Sequence, residues 1–172
     1  TASGMHVVAT EGGNVDFGPR DDEQMALLNY LMPKMDHVSY ERLLSGPGLE
    51  ALYEFYLVQN EQAGAEITAS EISQRAAEGS DSSAVMALQL FMRIYGAQAG
   101  NLALNTIARG GVFIAGGIAA KNLPFILAAD FITAFCDKGK MAELMPLMPV
   151  TLITDEKVGL SGARYLALQS TL

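Results

Sequence analysis

The stretch Gly100-Asn-Leu-Ala-Leu-Asn-Thr-Ile-Ala-Arg-Gly-Gly-Val-Phe-Ile-Ala-Gly-Gly117 decides the fold. It reads as the end of a buried helix, a glycine stop, a short buried strand and a glycine pair that opens the next element. The helix is expected to close at Arg109-Gly110, because glycine tolerates the left-handed backbone that ends helices. Val112 to Ala115 is an apolar run without polar alternation, the pattern of a strand covered on both faces in a parallel sheet. Gly116-Gly117 then falls at the carboxyl end of that strand, where open α/β sheets place ligands. Without Cβ atoms, the pair lets a flat ligand lie against the main chain. Taken alone, the pair is better read as a tight strand-to-helix turn with nothing bound.

A second glycine-rich stretch raises the functional reading. Glu11-Gly-Gly-Asn-Val-Asp-Phe-Gly-Pro19 follows a short apolar run, Met5 to Ala9, that reads as a strand. Its two glycines sit between an acid and an amide, in a turn that exposes both side chains near one point. Glu11 can accept hydrogen bonds from two neighbouring hydroxyls, and Asn14 can both donate and accept. This is the polar equipment of a sugar site; a hairpin turn with solvated tips is the plainer alternative. Asp16-Phe17-Gly18 matches the magnesium-binding triplet of protein kinases, but the other motifs of that signature are missing.

Composition narrows the classes. The chain has 172 residues, half of them hydrophobic, enough for one domain with a sizeable core. A net charge of -8 argues against nucleic acid or an anionic membrane as the main partner. The single cysteine, Cys136, precludes an internal disulfide and fits a reducing, cytoplasmic setting. The longest apolar region, Val112 to Phe135, is interrupted by Lys121, Asn122, Pro124 and Asp130, so no membrane span is expected. No secretory signal is read at the start, and Thr1 is expected to lie inside a longer protein. His37 has no partner at metal-ligand spacing, and no metal site is expected.

The remaining elements follow from caps and periodicity. A helix is expected over Asp21–Met32, with Met25, Leu28, Leu31, Met32 and Met35 on its apolar face. Val38 to Gly48 reads as extended and then turning, with Glu41 among half-buried residues, followed by a helix from Leu49 to Gln59. Thr68 and Glu71 form a capping box for a short helix ending at Gly79. Ser80-Asp81 caps a long helix to about Ala108, apolar around most of its circumference and so central in the domain. Its Gly96 and Gly100 allow close approach by neighbours. One helix is expected after Asn122, with Phe125, Ala129, Ile132 and Phe135 inward. A strand is expected at Val150–Ile153, and a last helix over Leu160–Leu172.

Together these features resemble the sugar kinase, actin and heat-shock chaperone ATPase superfamily. Three segments, Glu11 to Pro19, His37-Val-Ser-Tyr-Glu-Arg-Leu-Leu-Ser-Gly-Pro-Gly-Leu49 and Gly110-Gly-Val-Phe-Ile-Ala-Gly-Gly-Ile118, resemble consecutive blocks of bacterial glucokinase in order and spacing. The resemblance implies an α/β actin-like ATPase (ribonuclease H-like) domain, the large domain of a sugar kinase without its N-terminal small domain. Residues 1–157 would bind sugar and adenosine, and 158–172 would form a helix that packs toward the small domain. By the same resemblance Glu11 and Glu41 hold glucose, and Gly116 and Gly117 take the adenosine of ATP, with Mg2+ accompanying it. Asn14 stands where the family has a sugar-binding histidine. The catalytic base is expected elsewhere, so this chain alone is expected to be inactive and to self-associate or form a homodimer through its last helix. A non-catalytic sugar- or nucleotide-binding module is the alternative.

Overall fold

The computed structural model describes residues 7–64 and 66–169. The polar first turn, a 3-10 turn at Gly12–Asn14, leads to α1 (Asp22–Leu31), α2 (Tyr40–Leu43), α3 (Gly46–Gln59), α4 (Ala69–Glu78) and α5 (Ser82–Thr106). Strand β1 (Val112–Ile114) follows, then α6 (Gly117–Lys121), α7 (Leu123–Ile126) and α8 (Ala129–Cys136), strand β2 (Val150–Leu152) and α9 (Val158–Gln169). The two strands pair in parallel, with Val112 opposite Val150 and Ile114 opposite Leu152. Of the strand read at Met5 to Ala9, Met5 lies outside the described residues, and Val7 to Ala9 are not in a strand.

Helix α5 is the axis of the domain. Asp81 caps it by accepting from the amides of Ser83 and Ala84, at 3.0 and 3.2 Å. Ala84, Ala87, Leu88, Leu90, Phe91, Met92 and Ile94 are buried along it, against α3 and α4. Helix α8 crosses its other side at Gly96 and Gly100. A Cβ on Gly96 would lie 2.1 Å from the carbonyl oxygen of Phe131, and one on Gly100 would lie 2.5 Å from that of Phe135. The glycines are therefore the contact itself, and the helix-propensity cost of roughly 1 kcal/mol each is offset by packing. Ring contacts fasten the same interface, with Tyr95 edge-on to Phe131 at 5.7 Å.

Several expectations shift, each for a physical reason. Helix α5 ends three residues before the expected stop: Ile107, not a glycine, takes the left-handed conformation, at φ 49°. The amide of Ala108 then reaches back to the carbonyl of Ala103 at 3.0 Å, which satisfies an end carbonyl before the glycines are reached. Helix α1 buries Gln24, Leu27 and Leu31, whereas Met25 and Met32 are exposed. Leu28, Leu31 and Met35 of the expected stripe do meet the core, and the inward face widens to Gln24 and Leu27 in place of Met25 and Met32. The single helix expected after Asn122 is broken at Ala128, which is extended, and Phe131 and Phe135 point inward while Ile132 is half exposed. The segment read as extended before Leu49 holds a helical turn, α2, because Ser39 caps it. The capping box of Thr68 and Glu71 and the left-handed Gly79 stand as expected.

The left-handed Ile107 makes a prediction. A β-branched residue there carries roughly 1–2 kcal/mol of backbone strain. Ile107→Asn, which tolerates that region better, is expected to raise the unfolding midpoint by a degree or more, read by thermal melting. A fall in the midpoint would show that the half-exposed isoleucine contributes more by contact than it costs by strain.

Candidate functional site

Two clefts flank the carboxyl end of β1. The first, about 470 Å³, is lined by Gly12 and Gly13, by Tyr40 and Glu41, by Tyr95, Gln98 and Leu102 of α5, and by Val112 to Ala115. The second, about 530 Å³, is lined by Gly46 and Leu49 of α3, by α4 from Ala69 to Ala77, and by Gly117, Ile118, Lys121 and Asn122. Ala115 borders one and Gly117 the other. Two peptide units separate them, about 7 Å at most.

Local interactions assemble the first cleft. Asp16 bridges antiparallel to Ser39, and the amides of Phe17 and Tyr40 donate to the carbonyls of Val38 and Val15, at 2.9 and 3.2 Å. The Phe17 and Tyr40 rings meet edge-on at 5.7 Å beneath this bridge. Together they lay the turn of Glu11 to Asn14 beside the first turn of α2. The Asn14 amide donates to Glu11 Oε2 at 3.3 Å. A Cβ on Gly13 would stand 3.4 Å from Glu41 Oε2, so that turn passes directly over the Glu41 side chain. The structure thus brings Glu11, Asn14 and Glu41 into one neighbourhood. Glu41 is exposed, not half-buried as its neighbours suggested, and makes no ion pair among the described residues. His37 binds Asp16 at 2.7 Å on the surface, and no cluster of metal-ligating side chains forms among the described residues.

The glycine pair behaves differently at its two positions. Gly116 has φ 114°, a backbone closed to side chains, and it starts α6. Neither glycine would press a Cβ on any protein atom. Their smallness is therefore not a demand of packing, and it leaves the main chain open at the second cleft. Strand β1 is not covered on both faces: Ile114 is buried, but Phe113 is 63% exposed and borders the first cleft.

The first cleft also holds residues that the sequence reading passed over. Gln98 is buried, and its amide nitrogen donates to the carbonyl of Gly12 at 3.3 Å. Asn101 donates to Gln98 Oε1 at 3.1 Å, and Lys138 donates to Asn101 Oδ1 at 2.7 Å and to the carbonyl of Ala97 at 2.8 Å. Burial, with Arg20 nearby, brings the Lys138 pKa down to about 8. The available signal was that Gln98 and Asn101 lie one turn apart in the small-residue stretch Gly96 to Ala103 of α5.

The parallel β1–β2 pair, with clefts on both sides of its carboxyl end and a long glycine-notched helix over it, belongs to an α/β fold of the actin-like ATPase type. A family model described as Glucokinase matches residues 1–170, and the chain belongs to the glucokinase family. It is 40% identical to the glucokinase of Synechocystis sp. over 95% of its length and 52% of that protein's. Among solved structures it resembles the glucokinase of an Antarctic psychrotroph, with a TM-score of 0.87 and 34% identity over 95% of this chain and 51% of that one. The glucokinase of Balamuthia mandrillaris, solved in complex with glucose, shares the fold, with a TM-score of 0.79 at 23% identity over 88% of this chain and 44% of that one. The chain spans about half the length of the curated relatives it matches.

Proposed function

We propose that this chain is the sugar- and adenosine-binding part of an ATP-dependent glucokinase, which transfers the γ-phosphoryl group of ATP to glucose. The observation that carries the reading is the adjacency of the two clefts across Ala115 to Gly117. Phosphoryl transfer is mostly positioning and electrostatics, so its two substrates must meet at one point. At the first cleft Glu41, on its wall, and Glu11, in the turn whose Gly12 and Gly13 line it, accept hydrogen bonds from glucose hydroxyls, and Asn14 of the same turn contributes a neutral bond. In the second, adenosine lies against Gly116-Gly117, between α4 and α6. The described residues offer magnesium no cage of their own. Magnesium bound with ATP would supply charge neutralisation at the phosphates. The base that takes the sugar proton and the loop that cradles the phosphates belong to the other half of the enzyme. Residues 1–157 form the ligand-binding body, and α9, whose Leu160 is 73% exposed, packs toward that other half or a second copy.

A coupled assay of the intact protein with glucose, ATP and magnesium tests this. Saturable glucose binding without turnover would favour the binding-module alternative. The adenosine site has its own test. Gly117→Ala meets no protein atom and lies at no positive φ, so the melting temperature is expected to stay within a degree or two. The methyl would stand where the nucleotide approaches the main chain, and KM for ATP is expected to rise about tenfold with KM for glucose unchanged. Unaltered ATP kinetics would remove Gly117 from the nucleotide site.

A further inference from the structure

The chain of polar side chains through α5 has only one consistent polarity. Lys138 can only donate and the Gly12 carbonyl can only accept. Asn101 therefore turns its oxygen to Lys138 and its NH2 to Gln98, and Gln98 in turn points its NH2 at Gly12. The same Asn101 NH2 lies 3.5 Å from the Tyr40 hydroxyl, which also accepts from the amide of Gly18 at 3.4 Å. Asn101 thus touches both arms of the first cleft: the turn of Glu11 and Asn14 through Gln98, and the helix of Glu41 through Tyr40. Gly100 serves the arrangement, since a Cβ there would sit 2.6 Å from Lys138 Cε. The notch lets the lysine stem pass over α5 and place its ammonium on Asn101.

We infer that Asn101, oriented by Lys138, is a positioning residue that sets the spacing of the two carboxylate-bearing arms and so controls glucose affinity. The inference rests on the reading of Glu11 and Glu41 as the sugar site. Only the direction of donation matters, not the presence of a polar group, and this separates it from a general packing role.

Asn101→Asp in the intact enzyme tests the direction. Aspartate keeps the pairing with Lys138 but presents an acceptor to Gln98, which must then reverse and set its oxygen against the Gly12 carbonyl. KM for glucose is expected to rise about tenfold, the loss of one or two hydrogen bonds, with KM for ATP and kcat within about twofold of wild type. Lys138→Met, which frees Asn101 to rotate, is expected to move KM for glucose the same way, and it decides the matter if Asn101→Asp does not fold. Wild-type glucose KM in the folded variant overturns the inference, as does an equal rise for both substrates. Glu11→Gln and Glu41→Gln are measured alongside. If they too leave glucose kinetics unchanged, the sugar-site reading has failed; if they alone respond, only the role of Asn101 has.

Discussion

Replacing Glu41 by glutamine is expected to lower kcat/KM for glucose about ten- to hundredfold in the intact enzyme, and Glu11→Gln to do nearly the same. Hydrogen bonds to a charged acceptor contribute roughly 1.5–3 kcal/mol, and the loss appears in kcat/KM at tenfold per 1.4 kcal/mol. The geometry favours this outcome. Among the described residues Glu41 lies against Gly13 with no cation to neutralise it, and Glu11 has no partner stronger than the Asn14 amide at 3.3 Å. A carboxylate kept at a cleft without an ion-pair partner is available to a ligand. Asn14→Ala should cost less, about 0.5–1.5 kcal/mol, because its bonds are neutral. Asn14→His should be tolerated. A sugar lacking the matching hydroxyl should be rejected at least as strongly as the Glu→Gln variants lose activity, since the carboxylate would stay desolvated and unpaired. Near wild-type kinetics in both glutamate variants, with activity abolished by Asn14→Ala, would overturn these roles.

The second large effect is on stability, and its sign is diagnostic. By helix propensity alone, Gly96→Ala should stabilise α5 by about 1 kcal/mol. The tertiary contact predicts the reverse. The new Cβ would stand 2.1 Å from the Phe131 carbonyl oxygen, which is backbone and cannot rotate away. Helix α8 must therefore move, and overpacking of this kind costs roughly 1–3 kcal/mol or more. A net loss of about 2 kcal/mol is expected, lowering the thermal midpoint of the intact protein by about 5 °C or more. Gly46→Ala is the control, because Gly46 also lies in a helix but its Cβ would meet nothing nearer than the Ala69 Cβ at 3.8 Å, an ordinary contact. Its midpoint should hold or rise slightly. A stabilised Gly96→Ala would mean that α8 does not sit in the notch of α5.

What the sequence by itself determined is local or periodic. The caps at Asp21, Thr68 and Asp81 and the stop at Gly79 are set by side chains within four residues of the backbone they satisfy. The central helix is legible because few sequences are apolar around most of a helix unless buried. The short strands at Val112 and Val150 were readable as apolar runs beside glycine and proline. Glu11, Asn14, Glu41 and the glycine pair were singled out only as a constellation, through the resemblance of three spaced blocks; that the first three share one neighbourhood came from the tertiary structure. Tertiary structure decided the rest. The edges of the inward face of α1 depend on which side meets the core: Leu31 is buried as the periodicity implied, but Leu27 is buried where Met25 and Met32 are exposed. The end of α5 at Ile107 depends on which carbonyl is captured first, not on where glycine occurs. The relay from Lys138 through Asn101 and Gln98 to Gly12 joins residues 37 and 86 positions apart. No local pattern encodes such a pairing; it exists because α8 crosses α5 at Gly96 and Gly100 and delivers the lysine to the back of the first cleft.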